Sequence, residues 1–138
     1  MQIAALAGIS FRRDLNLMLW QPRGILDEPH VERILATLEE AEDKADHPFD
    51  RLTDLSKLDA VDVSFDYVFR VSLYRRALYM NRTPVKSAIF VLNREAAHLA
   101  LTHAKYTAGS PLKVRVFINK SAAARWLGVS ADDVEIDR

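Results

Sequence analysis

Segments with the apolar pattern of β-strands alternate along this chain with segments that have the apolar pattern of helices. A strand-like segment is followed by a helix-like segment four times. Parallel strands need crossover connections, which are usually helices, so the alternation predicts a mostly parallel sheet with helices on its faces. We therefore expect an α/β fold with four to five sheet strands and four helices.

The first strand is predicted to belong to an N-terminal hairpin, which adds one antiparallel strand. Leu15, Leu17 and Leu19 alternate with other residues at the period of a half-buried strand. Arg13 and Asp14 supply the turn from a preceding strand. The later strands are predicted at 49–55, 85–92 and 112–118, and the helices at 27–45, 64–80, 95–108 and 119–128.

The composition favours one cytoplasmic domain spanning residues 1–138. At 49% hydrophobic residues the chain can bury a core, and 19 basic residues balance 19 acidic ones, so no net charge attracts nucleic acid. The absence of cysteine suits a reducing compartment. The first residues, MQIAALAGIS, lack a basic region, and no later run is long enough to cross a membrane. The tail at 131–138 is predicted to have no role in the core.

Three segments that fall at the predicted boundaries of strands and helices form one pattern when they are taken together. They are LWQPRGIL at 19–26, DLSKLDAVDVSFD at 54–66 and VFINKSAAARWL at 116–127. In this order and spacing they resemble the SpoIIAA-like family, a branch of the STAS-like fold. The resemblance covers roughly residues 9–128, and it implies a bacterial regulatory or binding module of STAS-like type.

The resemblance also implies a regulatory site at the start of the second helix. STAS domains that antagonise anti-sigma factors are similar in a segment where a serine at a helix N-terminus is phosphorylated, and Ser64 stands at that position. Helix N-termini stabilise phosphate groups. Val63 replaces a serine of the family pattern, and Phe65 replaces a glycine. The alternative is that Ser64 only caps the helix, because serine is a preferred N-cap residue.

A ligand or partner is expected at the carboxyl ends of the parallel strands, where open α/β sheets bind their ligands. The residues predicted at this rim, besides Ser64, are Trp20, Arg23, Ser56, Asn93 and Asn119.

The second helix carries more apolar residues than one sheet face can cover. One arc is predicted to lie on the sheet, and a second arc is predicted to form a homodimer interface. The second arc contains Tyr67, Val71, Tyr74 and Leu78. The alternative is that neighbouring helices cover it.

The sequence predicts no catalytic residue, no metal site and no cofactor. It has no glycine-rich phosphate loop and no nucleophile elbow. His98 and His103 are five residues apart and so lie on different helix faces, and His103 is expected to be a hydrogen-bonded core residue. Trp126 is also expected in the core.

Two functions remain open at this stage. The first is a non-enzymatic module that binds a regulatory protein partner, in the manner of an anti-sigma-factor antagonist. The second is a carrier or sensor of a small apolar ligand or lipid, because the SpoIIAA-like branch is similar to Sec14-type lipid-binding domains and the aromatic second helix could line a pocket.

Overall fold

The computed structural model describes residues 8–135, which form a mixed five-stranded sheet covered on both faces. The strand order in the sheet is β1-β2-β4-β6-β7. The strands are β1 (Ile9–Arg12), β2 (Leu17–Trp20), β4 (Asp50–Asp54), β6 (Val85–Phe90) and β7 (Leu112–Phe117). β1 and β2 pair antiparallel, and the other neighbours pair parallel, so the predicted fold class is confirmed.

The four predicted helices are also confirmed, and polar caps start them where the sequence indicated. They are α1 (Glu28–Lys44), α2 (Phe65–Tyr79), α3 (Arg94–Thr107) and α4 (Lys120–Leu127). Asp27 caps α1, and Asn119 caps α4. Gly128 ends α4 at a φ of 82°, a left-handed conformation that favours glycine.

Strand β2 is buried on both faces, which corrects the half-buried pattern predicted for it. Met18 and Trp20 pack in the core beneath α1 and α3, whereas Leu17 and Leu19 pack in the core beneath α4. The reason is that helices cover both sides of the sheet, so alternate residues enter two different cores.

A second, small sheet was not predicted. Strands β3 (Gly24–Asp27) and β5 (Leu58–Asp62) pair parallel with each other and not with the main sheet. Each is only four or five residues long, which leaves no clear period to detect. β3 leads directly into α1, and β5 lies just before α2, so this sheet determines where both helices begin.

The prediction that the tail has no core role was wrong for its described part. Ala131–Val134 form a short 3₁₀ helix, and the Val134 side chain is buried beside Leu127. Residues 136–138 of the predicted tail lie outside the described residues.

Trp126, which was predicted to be a core residue, is only half-buried. It packs against Phe117 at the edge of the core beneath α4, because α4 turns its small residues Ala123 and Ala124 toward the sheet.

Candidate functional site

The main candidate site is a cavity between the sheet and the first three helices. Its volume is about 180 Å³. It is a cleft that is partly open to solvent and partly enclosed by the core. Its walls come from β2, β4, β6, the small sheet and helices α1, α2 and α3, and they include Met18, Trp20, Leu26, Val31, Ile34, Leu35, Leu38, Val61, Val63, Val68, Val71, Ile89, Ala96, Leu99 and Ala100.

Three helices contribute apolar side chains of different lengths to the cavity walls. Val68 and Val71 face it from α2, Ala96 and Leu99 face it from α3, and Leu38 faces it from α1. Mostly apolar walls are typical of sites for small ligands.

One end of the cavity is polar, because Arg51 from β4 and Arg75 from α2 both contribute to its lining. Both arginines bind the carboxylate of Glu42 from α1. Glu42 Oε2 accepts from Arg51 Nη1 at 2.8 Å and from Arg75 Nη2 at 3.1 Å, and the Tyr79 hydroxyl also donates to it. This buried ionic cluster joins α1, α2 and the sheet.

The arginines keep Glu42 ionised although its side chain is only 6% exposed. Burial by itself raises the pKa of a carboxyl group, but the charges of Arg75 and Arg51 and the hydrogen bond from Tyr79 outweigh burial, so the pKa of Glu42 is lowered.

His103 lies at the same end of the cavity and is hydrogen-bonded, as predicted. Its Nδ1 atom lies 2.8 Å from Ser72 Oγ, and the Ser72 hydroxyl donates to the Val68 carbonyl at 2.7 Å. Because that hydroxyl has one proton to donate, Nδ1 is the donor to Ser72. Burial, and then the positive charge of Arg75, lower the pKa of His103 to about 4, so its ring is neutral at pH 7.

We expect acid to destabilise the protein through His103. Its pKa in the unfolded chain is close to the ordinary value of 6.5, so between pH 6.5 and about 4 the unfolded chain binds more protons. Stability should therefore fall as the pH drops through this range. The loss should reach roughly 2 kcal/mol, because the full shift corresponds to about 3 kcal/mol and His103 as a residue is only partly buried.

Urea unfolding of wild type and His103→Gln at pH 7.5 and 4.5 would measure this contribution. The stability of His103→Gln should depend less on pH than that of wild type, whereas exposed His98→Gln should follow wild type. Parallel pH curves for wild type and His103→Gln would contradict the assignment.

The rim residues predicted from the sequence lie near the carboxyl ends of adjacent strands, but their side chains do different things. Trp20 is buried and lines the cavity. Asn93 and Asn119 are exposed caps of α3 and α4. Ser56 Oγ donates to Asp54 Oδ1 at 2.6 Å, and Arg23 Nη2 lies 3.4 Å from Gln21 Oε1. The Ser56–Asp54 and Arg23–Gln21 contacts each lie within one loop, and each asparagine acts at one helix end. Trp20, in contrast, faces the cavity.

A buried carboxylate at this rim, that of Asp54, was not among the site residues predicted from the sequence. Its Oδ2 atom accepts from Gln21 Nε2 and from Lys120 Nζ, both at 2.9 Å. Its Oδ1 atom accepts from the backbone and side chain of Ser56. Burial raises the pKa of such a group, but the hydrogen bonds from Ser56, Gln21 and Lys120 outweigh burial, so the pKa of Asp54 is lowered.

Comparison with solved structures gives the fold its name. The chain is similar to an uncharacterized protein of the DUF3478 family from Shewanella loihica PV-4, whose crystal structure is described as having a SpoIIAA-like fold. The TM-score is 0.56 at 20% sequence identity, over 87% of this chain and 90% of that one. The fold is SpoIIAA-like. No protein-family model matches the sequence, and no curated protein matches it significantly.

On this SpoIIAA-like fold, Ser64 is exposed at the N-terminus of α2 and caps it, which confirms the capping interpretation. Its Oγ accepts from the backbone N–H of Tyr67 at 3.1 Å. It also donates to Glu28 Oε2 at 3.3 Å, and the backbone N–H of Ser64 lies 3.4 Å from the same oxygen. A carboxylate already occupies part of the space where a phosphate would bind. The phosphoacceptor role of Ser64 stays a prediction.

We expect Ser64→Ala to lower the free energy of unfolding by about 1 kcal/mol, because the N–H of Tyr67 loses its acceptor. Ser64→Asp should recover little of this loss, since its carboxylate would lie beside Glu28. It should recover more in a Glu28→Gln background. Denaturant unfolding of Ser64→Ala, Ser64→Asp, Glu28→Gln and the Ser64→Asp/Glu28→Gln double variant measures both effects. An unchanged stability of Ser64→Ala would refute the role of the cap.

The stripe on α2 predicted to form a dimer faces α1 at three of its four positions. Val71 lies in the groove between α1 and α2. Tyr67 is buried and hydrogen-bonds to Glu32, and the Tyr74 hydroxyl donates to Glu39 Oε1 at 3.2 Å. Leu78 packs near Tyr79 and Val85. Tyr74 remains half exposed, so it is the large side chain of the stripe that a second subunit could reach. The homodimer itself stays a prediction.

Among residues 8–135, no group of His, Asp and Glu side chains has the arrangement of a metal site. None of the described helices combines the length and hydropathy needed to span a bilayer.

Proposed function

We propose that this protein binds a small, mainly apolar molecule in the cavity beneath α1, α2 and α3, as a carrier or sensor and not as an enzyme. The observation that supports the proposal is the cavity, with its volume of about 180 Å³ and its apolar walls. An engineered apolar cavity of about 150 Å³ in another protein is large enough to bind benzene. The space therefore suits an aromatic ring or a short acyl chain.

A groove between α1 and α2 supplies a route from solvent. Leu35, Tyr67 and Val71 line both the groove and the cavity. Tyr67 and Tyr74 cross the groove through hydrogen bonds to Glu32 and Glu39 on α1. These bonds join side chains on two separate helices, so they can open without unfolding either helix, and α1 would then move away from α2 to admit a ligand.

Tryptophan fluorescence provides a direct test. Trp20 lines the cavity, and Trp126 lies on the other side of the sheet, so a Trp126→Phe protein reports on the cavity alone. Titration with benzene, 1-hexanol and 1-octanol should give a saturable change in emission. The affinity for each probe should fall at least about tenfold in Ala100→Leu, because the added leucine atoms occupy the cavity. Absence of saturable binding by all three probes would contradict the proposal.

The same substitution makes a prediction about stability without ligand. Ala100→Leu should leave the free energy of unfolding unchanged or raise it by about 0.5–2 kcal/mol, because it fills a void. Ala124→Leu is the matched control, since Ala124 is also buried but lies in the core beneath α4, away from the cavity. That control should cost about 1–3 kcal/mol through overpacking. Equal losses in both variants would indicate that no usable space exists at Ala100.

A regulatory partner-binding function is the second candidate, and the exposure of Ser64 at the start of α2 favours it. Half-exposed Tyr74 and Leu73 on α2 offer a contact surface for a protein partner or a second copy. Light scattering of wild type and of the Leu73→Asp/Tyr74→Asp double variant, which changes exposed positions, tests the dimer. A monomeric wild type, or a dimeric double variant, would remove this support.

A further inference from the structure

The polar end of the cavity contains a buried hydrogen-bond donor that has no hydrogen-bond partner among the described residues. The Arg75 side chain is only 3% exposed and forms part of the cavity lining. Its Nη2 atom binds Glu42, whereas its Nη1 atom has no hydrogen-bond partner among the described residues and forms only a longer ion pair, with Glu39 Oε2 at 3.6 Å. A buried guanidinium with unused N–H groups is costly, so such groups are normally satisfied.

Two more buried polar atoms of the lining residues, Trp20 Nε1 and Arg51 Nε, have no hydrogen-bond partner among residues 8–135. Glu42 Oε1, an acceptor, is also unpartnered, but Glu42 is not part of the cavity lining. Tryptophan and arginine side chains have no acceptor to offer. Any ligand group that satisfies one of the unpartnered atoms of the lining must therefore be an acceptor.

The buried charges next to the cavity are not balanced. Arg51 and Arg75 are 4% and 3% exposed, and within residues 8–135 the carboxylate of comparable burial that pairs with both is that of Glu42. His103 adds no charge at neutral pH, because its pKa is about 4. The other charged groups of the cluster, Glu39 and Arg82, are 31% and 36% exposed and so are partly solvated. Counted together, Arg51, Arg75 and Arg82 face the two carboxylates of Glu39 and Glu42, so the cluster carries an excess of one positive charge.

We propose that the ligand of this cavity is a small amphipathic carboxylic acid, whose hydrocarbon part fills the apolar space and whose carboxylate pairs with Arg75. This inference rests on the proposed function. A carboxylate matches the fork of N–H donors on a guanidinium. It also brings the single negative charge that balances the excess. A dianionic phosphate would bring a second negative charge close to Glu42, so the site favours the carboxylate.

The test compares ligands of equal length on the Trp126→Phe protein at pH 7.5. Octanoate should bind about tenfold more tightly than 1-octanol, because a hydrogen bond to a charged group contributes at least the 1.4 kcal/mol that a tenfold change requires. Octylammonium should bind least. Equal affinities for octanoate and 1-octanol would overturn the carboxylate inference and leave the proposed function intact. No saturable binding of any of the three would overturn both.

A pair of variants tests whether Arg75 is responsible for the preference for octanoate over 1-octanol. Arg75→Gln should lose the preference for octanoate over 1-octanol while its affinity for 1-octanol stays within about threefold of wild type. Arg76→Gln should keep the preference, because the adjacent Arg76 donates to the Ala108 carbonyl outside the cavity. Folding of each variant is checked by thermal melting. If Arg75→Gln does not fold, the ligand series on the otherwise unchanged protein still decides. A folded Arg75→Gln that keeps the preference would contradict the role of Arg75.

Discussion

Replacing Glu42 with glutamine should lower the free energy of unfolding by about 3–5 kcal/mol, the usual cost of leaving a buried charge without its partner. The Glu42 side chain is 6% exposed, and those of Arg51 and Arg75 are 4% and 3% exposed, so water cannot replace the lost carboxylate. Glutamine can turn its amide oxygen to the place of Glu42 Oε2, where the three hydrogen bonds converge, but it brings no negative charge to balance the two buried arginines. A loss of this size approaches the whole stability of many small domains.

Equilibrium unfolding in urea measures the loss, and Glu40→Gln is the matched control. Glu40 lies on the same helix, but its partner Lys44 and Glu40 itself are well exposed. Exposed pairs one helical turn apart contribute only about 0.3–0.5 kcal/mol. If Glu42→Gln were as stable as Glu40→Gln, the cluster would not hold α1 and α2 to the sheet.

Asp54→Asn should be the second large loss, about 2–4 kcal/mol. Asp54 is fully buried, and each of its two oxygens accepts two hydrogen bonds. Whichever way the asparagine amide turns, its NH₂ group faces two donors, from Ser56 on one side or from Gln21 and Lys120 on the other. Lys120 is 20% exposed and can partly return to water, which keeps the loss below that of Glu42→Gln.

The control for Asp54→Asn is Asp59→Asn, because Asp59 is exposed on β5. Its stability should stay within about 0.5 kcal/mol of wild type. Thermal or urea unfolding distinguishes the two variants. An Asp54→Asn protein as stable as Asp59→Asn would show that the four hydrogen bonds to Asp54 contribute little to the fold.

The elements of the main sheet could be predicted from the sequence, because each one carries its signal locally. Asp27, Ser64 and Asn119 each precede an apolar run at helical spacing and each caps a helix in the structure. The hairpin of β1 and β2 was equally visible, since its strands and turn are contiguous. The small sheet was missed because β3 and β5 are short and pair across some thirty intervening residues.

The cavity and its polar end could not be predicted, because neither depends on a local pattern. The cavity results from the distance between helices, and valine and alanine on a helix face have the same period whether they touch a neighbour or face a void. Glu42, Arg51 and Arg75 come from three elements and look like surface charges when they are read singly. Val134 was missed for a related reason, since one buried side chain in a short tail has no periodicity.

Methyl-detected NMR of the wild-type protein titrated with octanoate tests most directly whether the cavity is a ligand site. The resonances that shift should belong to cavity residues such as Val31, Leu35 and Leu99. Resonances of Leu127 and Val134, in the core beneath α4, should stay in place. Saturable shifts confined to the first group are the result that we predict. Shifts that are absent, or that fall mainly on the exposed surface or on the core beneath α4, would contradict it.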